Sequence, residues 1–187
     1  MNKLCHSSQS KRSFIVLCII AGIIAGPAIS PSHAHDSICP NNQEQELIDL
    51  INQERQKAGL SFLKTDVRLM RTARRHSAEM ASKNFFGHAG HDAPSLRDKF
   101  ANAGYPMTIA AENIAAAHAT PGNVLKAWMR SPGHRANILN KSVREIGIGY
   151  CYLRHSPYMH YWTADFGSCI DGCKLTSPKC VDRRIFR

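Results

Sequence analysis

The sequence predicts an α+β fold in which helices pack on a small antiparallel sheet. Two observations carry that reading. Apolar residues recur at helical spacing through the first two thirds of the 187-residue chain, and they alternate residue by residue in the last third. The two kinds of segment are segregated rather than interleaved, which is the order of α+β folds and not of a doubly wound parallel sheet.

Each element has its own signal. Asn41 or Asn42 caps a helix from about Gln43 to Lys57, with Leu47, Ile48, Leu50 and Ile51 inward and Gly59 just past its end. Leu60 to Lys64 reads as a short extended piece. Thr65 or Asp66 caps a second helix to about Lys83, with Val67, Leu69, Met70, Ala73, Ser77 and Met80 on its apolar side. Arg68, Arg71, Arg74 and Arg75 line the opposite, solvated face. Asn84 to Pro94 is loop-like, with Phe85 and Phe86 as core anchors, and Ser95 to Gly104 is a short helix. Tyr105-Pro106 opens a loop toward Glu112.

Thr120 then caps a helix with Pro121 at its first position, where the missing N–H costs nothing. Val124, Leu125, Trp128 and Met129 form its apolar face, and Ser131-Pro132-Gly133 stops it. Arg135 to Asn140 begin a further short turn. Ile146 to Tyr152 and Tyr158 to Phe166 alternate around Ser156-Pro157 and read as a β-hairpin. Gly147 and Gly149 would let another element approach that strand closely.

The ends are different in kind. Residues 1–34 join a basic start (Lys3, Lys11, Arg12) to an apolar run from Phe14 to Ala25 and the small-residue site Ser32-His33-Ala34, the pattern of a cleaved export signal. The run is too short for a transmembrane helix. Residues 35–43 are a lead-in, 44–168 the folded domain, and 169–187 a basic tail rich in cysteine. Removing the signal's three basic residues lowers the net charge from +10 to +7. A basic exported surface suits anionic partners such as lipid headgroups or cell-wall polymers. The scattered cations, without interleaved aromatics or a recognition helix, exclude nucleic-acid binding. Cys39, Cys151, Cys169, Cys173 and Cys180 remain in the mature chain, where export favours disulfides over metal ligation. A bridge among Cys169, Cys173 and Cys180 would hold down the aperiodic tail.

The chemistry concentrates in two stretches. In AENIAAAHATPGNVLKAWMRSPGHRANIL, Glu112 sits among small and apolar residues and His134 is delivered at a helix end. A carboxylate and an imidazole in one apolar neighbourhood suit a metal or acid–base site, while the plainer reading has Glu112 capping a turn and His134 bonding a carbonyl. In NFFGHAGHDAP, His88 and His91 form H-x-x-H beside Asp92.

These motifs, taken in order, resemble the CAP superfamily of cysteine-rich secretory, antigen 5 and plant pathogenesis-related proteins, and in particular its bacterial SCP-domain branch. The residues that carry the resemblance are LIDLINQERQKAGL, A-x-x-H-S-x-x-M at Ala73 to Met80, NFFGH, Ala103-Gly104-Tyr105, AENIA, W-M-x-S-P-G-H-R-x-N-I-L, IGIG and YWTADFG. They span about 44–168. The resemblance implies an α–β–α sandwich with a central cavity lined by two histidines and two acidic residues. His88, Glu112 and His134 match three of these positions, and Asp92 is the candidate for the fourth, with His91 as a substitute. Two neutral imidazoles with a carboxylate would suit Zn²⁺, Glu112 either ligating it or fixing an imidazole tautomer. The implied function is a secreted or periplasmic binding module for a lipid or sterol, a cell-wall polymer or a protein partner. The alternative is a metal-dependent hydrolase, although H-E-x-x-H and known nucleophile motifs are absent from the sequence.

Overall fold

In the computed structural model, residues 39–170 are described. The expected signal at 1–34 and the tail cysteines Cys173 and Cys180 lie outside these residues. The element order is α1 (Asn42–Lys57), β1 (Lys64–Thr65), α2 (Val67–Ser82), α3 (Leu96–Asn102), β2 (Met107–Ala116), α4 (Pro121–Arg130), α5 (Pro132–Ile138), β3 (Glu145–Tyr152) and β4 (His160–Cys169).

Local chemistry sets the helix starts. Asn41 accepts a hydrogen bond from the Glu44 N–H while the Glu44 side chain accepts from the Asn41 N–H, a reciprocal capping box. Asp66 caps α2, Ser95 caps α3, and Thr120 with Pro121 behind it opens α4. The turn expected after Gly133 is a full short helix, α5, which begins at Pro132.

The four strands are ordered β1-β3-β4-β2. The two ladders of β4, to β2 and to β3, are antiparallel, while the two-residue β1 runs parallel to β3, so the sheet is mixed. β2 was expected as loop. Its sequence, MTIAAENIAA, is weak in branched and aromatic residues, and pairing with β4 along its length overrides that propensity.

Helices cover both faces. On one face, α1 and α4 pack Leu47, Ile51, Val124 and Trp128 against Ile146, Ile148, Trp162 and Phe166. On the other face lie α2 and α3. A Cβ at Gly147 would run into the Leu69 and Met70 backbone, and one at Gly149 into that of Ala73 and Arg74. The two glycines therefore let α2 lie directly on β3. Phe85 packs beside Met80 and Tyr161, whereas Phe86, expected in the core, is 45% exposed and meets only the rim through Tyr158. Cys151 is buried in the same cluster as Met80, Ala81 and Tyr161.

Candidate functional site

The face of the sheet beneath α2 is apolar at its ends and polar at its centre. Register explains the polar patch: Glu112 of β2 lies opposite Asp165 of β4, which in turn lies opposite Gly147 of β3. Helix α2 sets Thr72, His76 and Ser77 above it. Thr72 Oγ1 stands 2.5 Å from Asp165 Oδ2, and Ser77 Oγ donates to Gly149 O at 3.0 Å.

Glu112 is the hub. His88 Nδ1 lies 2.8 Å from its Oε1, and Lys99 Nζ lies 2.7 Å from its Oε2. A carboxylate only accepts, so the His88 hydrogen is on Nδ1, and in the neutral ring Nε2 keeps its lone pair. Lys99, itself buried, also donates to the His88 carbonyl at 2.6 Å and so fixes the loop that carries the imidazole. His76 Nε2 stands 3.9 Å from Glu112 Oε1 and donates to the Gly87 carbonyl at 2.9 Å, leaving its buried Nδ1 without a protein partner.

Burial by itself would raise the Glu112 pKa, but the His88 hydrogen bond and the charges of Lys99 and His76 outweigh it and hold it below the ordinary range. Asp165 is driven the other way. Complete burial, and then the Glu112 charge, push it well above the usual carboxylate value. The Thr72 hydroxyl works against that shift by donating to Asp165, and its single hydrogen is shared with the Leu69 carbonyl at 2.9 Å.

β2 is an edge strand, contacted by α3 and by α5. Asn113, on the opposite side of β2 from Glu112, donates to the His134 carbonyl at 3.0 Å and accepts from Asn137 at 2.8 Å, which moors α5. The His134 ring stands 6.4 Å from that of Trp128. Burial lowers its pKa, and the nearby His88 lowers it further. His88, with 59% of its side chain exposed, opens this arrangement to solvent.

The structure thus brings His88, Glu112 and His134 to one edge of the sheet and leaves Asp92 out. The 88–95 loop turns Asp92 outward, where it is 69% exposed and lies 3.4 Å from Lys83. His91 does not take its place, since its N–H donates to Glu79 and its ring sits edge-on to Phe85. Sequence reasoning missed Lys99, Asp165, Thr72 and the site role of His76. The signals available were an acid inside the apolar strand YWTADFG and a threonine on the apolar side of α2, but only the strand register places them beside Glu112.

As a metal centre, the set fits in part. Two imidazoles and a carboxylate that orients one of them are suitable donors. The second Glu112 oxygen is held by Lys99, however, and among the described residues no group of three or more His, Cys, Asp or Glu is arranged to hold a metal ion. Glu112 thus stands behind His88 and does not complete a three-ligand protein site.

Comparison with known proteins agrees with the architecture. Residues 48–166 match the family model described as "CAP: Cysteine-rich secretory protein family". Over 107 residues the chain is 44% identical to YkwD of Bacillus subtilis, covering 57% of this chain and 42% of that protein. It thus spans about two fifths of that relative's length. A crystal structure of an extracellular protein containing an SCP domain from Bacillus anthracis is 30% identical with a TM-score of 0.61, covering 67% of this chain and 40% of that one. An outer surface protein of Borrelia burgdorferi shares the fold at 17% identity and a TM-score of 0.63, over 71% of this chain and 97% of that one. The chain belongs to the cysteine-rich secretory protein (CAP) family and, within it, to the bacterial SCP-domain proteins.

Proposed function

We propose that the domain is an extracytoplasmic binding module whose ligand, a lipid, cell-wall fragment or partner protein, docks at the sheet edge formed by His88, Glu112 and His134. The observation that carries this reading is the buried, ionised Glu112, which holds the exposed His88 imidazole in one tautomer beside His134. The location is supported by the signal-like pattern at 1–34, by the extracellular and outer-surface descriptions of the two structural neighbours, and by Cys39 and Cys169 as bridge-forming cysteines. Among the described residues no helix is long and apolar enough to cross a membrane. N-terminal sequencing of the exported protein should read from about residue 35, and a start at Met1 in the soluble extracellular fraction would contradict export.

Within that reading, His88 and His134 take one divalent metal, Zn²⁺ first, with Glu112 orienting His88 rather than ligating. The metal would supply a Lewis-acidic anchor for a donor atom of the ligand. Hydrolysis receives less support, because both Glu112 oxygens are already engaged and the carboxylate is a poor general base.

Binding to the folded state alone stabilises it, by about 2.7 kcal/mol at a hundredfold excess over Kd. Zinc should therefore raise the Tm of the wild type and raise it far less in His88→Ala/His134→Ala. His118→Ala should respond like the wild type. Equal zinc stabilisation of the wild type and the double variant would place the metal elsewhere and remove this assignment.

A further inference from the structure

Helix α2 carries four arginines, and they are not equivalent. Arg68 Nη2 lies 2.7 Å from the buried Asp66, and Arg74 Nη2 lies 2.6 Å from the buried Glu44. Arg71 and Arg75 are exposed and make no hydrogen bond or ion pair with any described residue. Glu79, four residues beyond Arg75, is the natural helical partner, but its Oε1 is taken by Lys83 at 2.9 Å and by the His91 N–H at 2.8 Å. Arg71 has no acidic residue three or four positions away in either direction. Two like charges at i and i+4 cost an isolated helix a few tenths of a kcal/mol, about 0.2–0.5. Something else must favour keeping them side by side.

Both guanidinium groups line one cleft of about 220 Å³ between α2 and the end of α3, with Thr72 at its base and Asn102 and Ala103 opposite. No carboxylate lines it, although Arg75 also borders the smaller adjoining pocket that Glu79 and Asp92 line. Guanidinium forks match pairs of oxygens on one anion, and the Asn102 amide adds a further donor. The cleft is several times the size of a bare phosphate ion, so it suits an anion with a body attached.

We propose that the Arg71–Arg75 cleft binds a phosphate ester, as a subsite separate from the Glu112 edge. The same chemistry could be presented by a water-soluble phosphate ester or by a lipid headgroup.

The test uses the mature domain and follows the Arg Nε–Hε resonances by NMR during titration with glycerol 3-phosphate. Arg71→Gln/Arg75→Gln is compared with Lys126→Gln/Arg130→Gln, which removes the same charge from α4. Saturable binding should weaken about tenfold or more in the first pair and stay within about twofold in the second. His88→Ala/His134→Ala should bind glycerol 3-phosphate like the wild type, which separates this inference from the reading of the Glu112 edge. The α2 pair should melt at or above the wild-type temperature, since its i,i+4 repulsion is gone, so lost binding would not reflect lost fold. Vesicles of phosphatidylglycerol separate the sources: retention lost only in the α2 pair assigns a lipid headgroup, and binding confined to the soluble ester assigns a water-soluble ligand. Equal weakening in both pairs, no saturation, or tighter binding of succinate than of glycerol 3-phosphate would overturn the proposal.

Discussion

Glu112 and Asp165 face each other across the β2–β4 ladder, and their pKa values are pushed in opposite directions. The difference lies in burial and in their neighbours, because Glu112 has Lys99 and His88 within hydrogen-bond distance, whereas Asp165 is fully buried and faces the like charge of Glu112 with the Thr72 hydroxyl beside it. The two acids should therefore respond differently to amidation. The upward shift of Asp165 favours its neutral form, for which Asn has nearly the same shape, so Asp165→Asn should change stability by no more than about 1 kcal/mol. Glu112→Gln leaves Lys99 buried without a counter-charge and should cost about 3–5 kcal/mol. Denaturant titrations of the two variants check this, and a larger loss for Asp165→Asn would mean that Asp165 is ionised. His88 and His134 could be singled out from the motifs, whereas His76 could not. The lysine that balances Glu112 was not legible either, since its ammonium group reaches the site from α3 across a fold that only long-range pairing builds.

At the scale of elements, α1, α2 and α4 could be read from the sequence almost to the residue, because caps and periodicity are local, whereas α5, which has no side-chain cap, was expected only as a turn. Asn41, Asp66, Ser95 and Thr120 all accept the expected N-terminal hydrogen bonds. β2 escaped because its ten residues form a strand only against β4, and β1 because two residues carry no pattern. The use of Gly147 and Gly149 could be anticipated as a close approach, though not that α2 was the partner. Gly147→Ala or Gly149→Ala must push α2 off the sheet and should destabilise by about 1–3 kcal/mol or more. Gly122→Ala, in α4 with open space around its Cβ position, should instead stabilise by about 0.4–1 kcal/mol. Melting curves of the three variants test the contrast, and a stable Gly147→Ala would mean that α2 has slack the structure does not show.

For the molecule as a whole, the titrating groups give stability a direction with pH. Burial lowers the pKa of His76, His134 and His160 from the ordinary value of 6.5. As pH falls through about 6.5 the unfolded chain takes up protons that the folded chain refuses, so stability declines. Glu112, also lowered, contributes stability above its unfolded value of 4.5 that is lost as pH falls through its folded pKa. Asp165, raised, acts in the opposite sense, because its folded form binds a proton first. Three histidines against one acid should give a Tm that falls between pH 7 and pH 5. A flat or rising profile over that interval would contradict the buried, neutral state of His76. The α+β class and the sandwich were accessible from the sequence, through ordered motifs rather than composition. The pairing of α2 arginines with Asp66 and Glu44 was not, since Glu44 is thirty residues from Arg74 in sequence.

The missing Cβ atoms at Gly147 and Gly149 also bear on the two surfaces of α2. The helix turns Thr72 and His76 toward the Glu112 edge and Arg71 and Arg75 toward solvent, and its backbone is seated directly on β3. One helix thus carries both surfaces, and whatever shifts it against β3 shifts the arginine side and the roof of Glu112 together.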